Sequence, residues 1–138
     1  MLGTAAHATN AYRRLAVDSA ALGADRHQLI GLLFAGTLTA IGQARIALAR
    51  GDMAAKAQAS GKATRLVSEG LKVAVDRSAG DLGEQLYQLW DYCARQLLTA
   101  HLRQDDAIYR EVAELVGGIS DAWASIAPQG KPSSRRAA

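Results

Sequence analysis

Several things are scarce in this chain. Among 138 residues there are one cysteine, two prolines and few aromatics (four Tyr, two Trp, one Phe). A lone Cys93 can form no internal disulfide. Its place inside an apolar helical pattern reads as a small buried hydrophobe. The prolines, Pro128 and Pro132, stand near the end, so nothing before them breaks a helix the way proline does. No uninterrupted apolar run approaches the roughly 20 residues of a membrane span, and Met1-Leu2-Gly3-Thr4 does not open a signal peptide. A cytoplasmic protein without membrane insertion is the expectation. Net charge is also scarce. Of sixteen Lys and Arg, three (Lys131, Arg135, Arg136) lie in the tail, and the formal total is only +3. Arg13-Arg14 and that tail are too short and too far apart to form a nucleic-acid stripe.

What the chain has in quantity is 29 Ala and 17 Leu, a helix-former's composition in a length that suits one domain. Asn10 can cap a short helix in which Tyr12, Leu15 and Ala16 share a side. A first long helix starts at Asp25 as cap and runs to about Arg50, with Gly51 just past its end. Ile30, Leu33, Thr37, Ile41, Ala44 and Leu48 form its core stripe. A second starts at Asp52, places Ala59, Ala63, Leu66, Gly70, Val73 and Ala74 on one face with Val67 and Leu71 beside them, and ends near residues 76–79. A third follows Asp81, with Leu82, Leu86, Leu89, Cys93, Leu97 and Ala100 in its stripe and Tyr87, Trp90 and Leu98 beside it. After a turn at Arg103-Gln104-Asp105, a fourth carries a heptad seam of Ile108, Val112, Leu115, Ile119, Ala122 and Ile126 until Pro128. Short links force neighbouring helices antiparallel. The expected fold is all-α, an antiparallel four-helix bundle with a short additional N-terminal helix. Residues 1–10 read as a disordered start, 11–128 as the bundle and 129–138 as a polar, basic tail.

Catalytic constellations are missing. A bundle di-iron site needs Glu-x-x-His pairs, and none of His7, His27 and His101 has an acid three residues before it. A phosphotransfer helix would place a lysine near its histidine, but His27-Gln28-Leu29-Ile30-Gly31 has Ile30 there. His27 therefore reads as a solvated first-turn residue. The paired acids Asp105-Asp106 and Glu111-x-x-Glu114 fall at the start or on the outside of the fourth helix. No phosphate loop, nucleophile elbow or cysteine pair is present. The chain reads as no enzyme, with no cofactor and no metal.

The first long helix carries more apolar surface than a core needs. Phe34 and Leu38 widen its stripe on one side, and Leu29, Leu32, Gly36 and Ala40 widen it on the other. The arc reaches about two-thirds of the circumference where about 100° suffices. Either the Tyr12 helix or a closely packed neighbour covers the surplus, or it is a groove for an amphipathic partner segment.

The order Ala11-Tyr12, Val17, His27-Gln28-Leu29-Ile30 and Leu33-Phe34-x-Gly36-x-Leu38 resembles the flagellar export chaperone FliS family. Gly51-Asp52-x-x-x-Lys56, Leu71-x-x-x-Val75-Asp76, Leu89-Trp90-Asp91-Tyr92 and Asp121-Ala122-Trp123 are similar to its later landmarks. The chain departs from the family pattern at Gly23-Ala24-Asp25-Arg26, Ala35 and Ala79-Gly80-Asp81. The resemblance implies a non-enzymatic chaperone that binds the disordered C-terminal segment of flagellin, blocks premature polymerisation in the cytosol, and delivers it to the export gate protein FlhA. It further implies that the segment around Tyr12 can cap the binding surface, as a competitor or as a permanent cover. Candidate partner-binding residues are then Tyr12, Val17 and Leu22 in the leading segment and Leu29, Leu32, Leu33, Gly36 and Ala40 on the first long helix. Leu66 and Leu71 on the second complete the set. A phosphotransfer domain using His27 and a generic helical adaptor are the alternative readings, and the expected state is monomer or homodimer.

Overall fold

The computed structural model describes residues 23–126. The expected short helix at Tyr12, the candidates Tyr12, Val17 and Leu22, and the tail after Ile126 lie outside the described residues.

Helix α1 (Gly23–Arg50) is already helical at Gly23, so Asp25 sits in the first turn and complements the helix dipole instead of capping. Its end is closed by a glycine. Gly51 adopts φ +73°, its amide donates to the Leu48 carbonyl at 3.1 Å, and the Asp52 amide reaches the Ala47 carbonyl at 2.9 Å. Asp52 then caps α2 (Met53–Arg65), its carboxylate accepting from the Ala55 amide at 3.1 Å. The second arm continues through a π-helical turn, Leu66–Leu71, and three α-helical residues, Lys72–Ala74. A short 3-10 turn at Arg77–Ala79 leads to Gly80 at φ +93° and into α3 (Asp81–Arg103). Gln104, in the left-handed region at φ 53°, ends α3 without a glycine, and Asp105 caps α4 (Asp106–Ser125) by accepting from the Ala107 amide at 2.9 Å.

The four arms form an antiparallel ring in which α1 packs between α2 and α4 and α3 closes the other side. Direction is visible in the ties. His27 at the start of α1 meets Trp123 at the end of α4, while Arg45 near the end of α1 meets Asp106 at the start of α4. The core stripe of α1 is as expected: Leu33, Thr37, Ile41 and Ala44 are buried. By length and composition Asp25–Arg50 would also pass for a membrane span. Here that apolar length packs α1 against both the second arm and α4.

The other stripes are rotated from their expected phase. In α3 the buried line runs Gly83, Trp90, Cys93, Leu97, Ala100, and Leu82 is 68% exposed. Trp90 belongs to the core because it meets the only phenylalanine, Phe34, with ring centroids 5.8 Å apart. In α4 the fully buried residues are Tyr109, Val112 and Val116. Ile108, Leu115 and Ile119 flank them, and Ala122 and Ile126 are exposed. Tyr109 wins its place through a buried hydrogen bond to Ser60 Oγ at 3.0 Å. In the second arm Ala59, Ala63, Val67 and Leu71 are buried while Val73 is 73% exposed. The π-turn supplies the reason: an i→i+5 bond, Lys72 amide to Val67 carbonyl, adds a residue to that turn and shifts the phase of the residues after it.

Candidate partner-binding surface

The surplus apolar surface of α1 divides into two parts. Leu29, Leu33 and Ala40 are buried, and so is Leu71 opposite them on the second arm. Gly36 lets the second arm approach: a Cβ there would lie 3.3 Å from Leu66 Cδ1, so half-buried Leu66 already occupies that notch. One π-turn further on, Gly70 receives Leu33, whose Cδ2 would stand 2.9 Å from an added Cβ. Most of the candidate set is therefore gathered along the α1–α2 seam and filled by the bundle's own side chains. Leu32 alone of the described candidates faces outward, 54% exposed.

Leu32 has company that periodicity analysis missed. Ala35, Thr39, Ile46 and Ala49 are exposed and half-buried Gly42 lies between them, so steps of three and four give a second stripe on the outside of α1. Ile46 is 54% exposed. Residues 27–44 contain no Lys, Arg, Asp or Glu at all. That uninterrupted lack of charge was the available signal, since a helix with one solvated face ordinarily marks it with charge. The two arginines that flank this stretch are drawn sideways. Arg26 donates to the Ala74 carbonyl at 2.9 Å, and Arg45 grips Asp106 with two hydrogen bonds of 2.7 and 3.0 Å. That grip holds the Asp106 carboxyl below the usual carboxylate range.

His27 has a structural role that its position at the helix start does not suggest. Its Nε2 lies 3.0 Å from the Trp123 carbonyl, the Trp123 indole N–H donates back to the His27 carbonyl at 2.9 Å, and the rings stack at 4.6 Å. With Nε2 committed as donor, the ring is a clamp across the bundle end. Trp123 is accordingly a bundle-edge aromatic and Trp90 a core one. Cys93 is buried and its thiol is pushed up to about 12 by burial, so it offers no nucleophile.

The longest helix of the bundle thus shows an uncharged, exposed outer stripe, and no metal-binding cluster is assembled among the described residues. The family model for flagellar protein FliS matches residues 8–130. The chain belongs to the FliS family. It is 40% identical over 120 residues to the flagellar secretion chaperone FliS of Salmonella typhimurium, covering 86% of this chain and 89% of that one. The FliS of Escherichia coli is 36% identical over 120 residues, with 86% and 88% covered. A Pseudomonas aeruginosa relative, flagellar secretion chaperone FliSB, is 30% identical over 116 residues, with 83% and 91% covered. The FliS family is one of chaperones, not an enzyme class, and its function lies in flagellar secretion.

Proposed function

We propose that this chain is a cytoplasmic export chaperone for flagellin, holding the disordered C-terminal segment of flagellin against the uncharged outer stripe of α1. The exposed line Leu32, Ala35, Thr39, Ile46 is the observation that carries the reading. Its small members leave a shallow channel into which larger side chains of a folding segment fit, anchored at each end by a half-exposed aliphatic residue. Ordering such a segment costs about 2–5 kcal/mol. At about 25 cal/mol per Å2, roughly 200 Å2 of buried apolar surface offsets the upper figure. Flagellin polymerises head to tail, an open arrangement that grows without limit, so covering one end removes the interface. The covered subunit is then handed to FlhA at the flagellar type III export gate.

The leading segment with Tyr12, Val17 and Leu22 is the natural competitor for the same stripe, because it is covalently attached and always present at high effective concentration. Isothermal calorimetry with a flagellin C-terminal peptide tests the reading. Binding is expected for the full chain, and Tyr12→Ala tightens it if the segment only competes. A Tyr12→Ala protein of lower stability with unchanged or weaker affinity would make Tyr12 a permanent cover instead.

A further inference from the structure

A second exposed apolar surface lies on another side of the ring, between α2 and the C-terminal half of α3. Its register is fixed by Lys56, which is buried and donates its ammonium proton to the His101 carbonyl at 3.0 Å. From that tie an open groove of about 280 Å3 runs between the helices, floored by Ala57, Gly61 and Thr64 on one wall and Leu98 and His101 on the other. Leu98 is 54% exposed and Leu102, one turn on, 72%. Met53, one turn before Ala57, is 40% exposed. The small residues of α2 leave the trough, and the leucines of α3 stand along its rim. The Nδ1 atom of His101 is buried there with no hydrogen-bond partner among the described residues.

Charge identifies what fits. Lys62 and Arg65 are exposed on the crest of α2, and neither forms an ion pair among the described residues. Arg65 folds over Gly61 at the groove edge. Arg95, on the crest of α3, shares Asp91 with Lys72. The acids at this end, Asp52 and Asp105, are both committed as caps to the amides of Ala55 and Ala107. The groove is thus apolar along its length, with the unpaired cations Lys62 and Arg65 along its α2 bank. A second copy of the chain would set these cations against each other. The chain's own ends are unsuitable for the same reason, carrying Arg13-Arg14 and Lys131, Arg135, Arg136. We infer that the α2–α3 groove docks an acidic amphipathic helix of a partner protein, with leucine-sized side chains at i and i+4 between Leu98 and Ala57 and its carboxylates on Arg65 and Lys62. This surface is separate from the α1 stripe, so it stands whether or not that stripe binds flagellin.

The test uses the full chain and a fluorescein-labelled helical peptide with leucines at i and i+4 and glutamates on its flanks, beside a twin with lysines replacing the glutamates. Fluorescence anisotropy should show the acidic peptide binding at least about tenfold tighter than its basic twin. Raising ionic strength from about 0.1 M to about 1 M, which cuts the Debye length from about 10 Å to about 3 Å, should weaken it about fivefold. Leu98→Asp and Leu102→Asp should each cost at least about tenfold, and Arg65→Glu about fivefold. All three side chains are exposed, so circular dichroism and thermal melting should show intact folds. Calorimetric binding of the flagellin peptide should be unchanged in the same variants. Equal binding of the two peptides, or none by the acidic one at about 0.1 mM, overturns the inference. So does displacement of the acidic peptide by the flagellin peptide. A concentration-dependent dimer that Leu102→Asp abolishes would give the groove to a second copy, and would overturn it equally.

Discussion

His27 and Trp123 hold each other by both ends: each ring lies within hydrogen-bond distance of the other residue's backbone carbonyl, at 3.0 and 2.9 Å, and the two rings stack. The pair joins the start of α1 to the end of α4, and no other hydrogen bond links these helices at that end among the described residues. Trp123→Phe keeps a ring and removes a donor, so it should cost about 1 kcal/mol, and His27→Ala about 1–2 kcal/mol. Urea denaturation of both single variants and the double variant should give a coupling energy of about 1 kcal/mol. Additive losses would mean that the contacts act independently.

The glycines divide into tight and open sites. A Cβ on buried Gly83 would run into the Asp76 backbone carbonyl, which cannot step aside, whereas one on Gly118 in the middle of α4 meets nothing within 4 Å. Gly83→Ala should destabilise by about 1–3 kcal/mol and Gly118→Ala should stabilise by about 0.5–1 kcal/mol, both read from urea midpoints.

How much of this was legible in the sequence depends on what each residue answers to. Caps are local, and Asp52, Gly51 and Asp105 announced their turns. The core of α1 follows from its own periodicity. Trp90, Tyr109 and Ser60 are different, since their burial is decided by partners on other helices: Phe34 for the first, and each other for the last two. The π-turn was also invisible, because no residue type demands one. Thr64 and Ser68, whose hydroxyls bond the carbonyls four residues back at 2.9 and 2.7 Å, are its nearest local correlate. For the candidate surface, periodicity found the apolar excess of α1 and the residues of the α1–α2 seam, most of which the bundle itself fills. The exposed outer stripe announced itself only through missing charge.

Cys93 should be silent in the native state. Its thiol is fully buried and raised to about 12, so a disulfide reagent at pH 8 should react only at the rate at which the bundle opens. Addition of urea through the unfolding transition should release the full thiol signal. Fast labelling without denaturant would contradict the burial.

Acid should weaken the bundle in a defined window. Asp91 is held below its ordinary value first by the Lys72 ammonium, Glu84 by Arg77 and Asp106 by Arg45. A carboxylate lowered in the folded state binds fewer protons there than in the unfolded chain, so its contribution is complete at neutral pH. It is lost as pH falls from the ordinary carboxylate range, about 4, through the lowered folded values. The groups are largely exposed, so each effect is small. Urea midpoints should be flat between about pH 6 and 7 and fall below about pH 4, with Asp91→Asn reducing the fall.

The central claim is that the outer stripe of α1 holds flagellin. Leu32→Asp and Ile46→Asp place a charge on that stripe at side chains already 54% exposed, so the fold should survive, as circular dichroism and urea midpoints will show. Calorimetry with a flagellin C-terminal peptide should then give binding by the unaltered chain and a loss of at least about tenfold in each variant. Unchanged affinity in both folded variants would place flagellin elsewhere on the bundle, and no binding by the unaltered chain at tens of micromolar would contradict the flagellin reading itself.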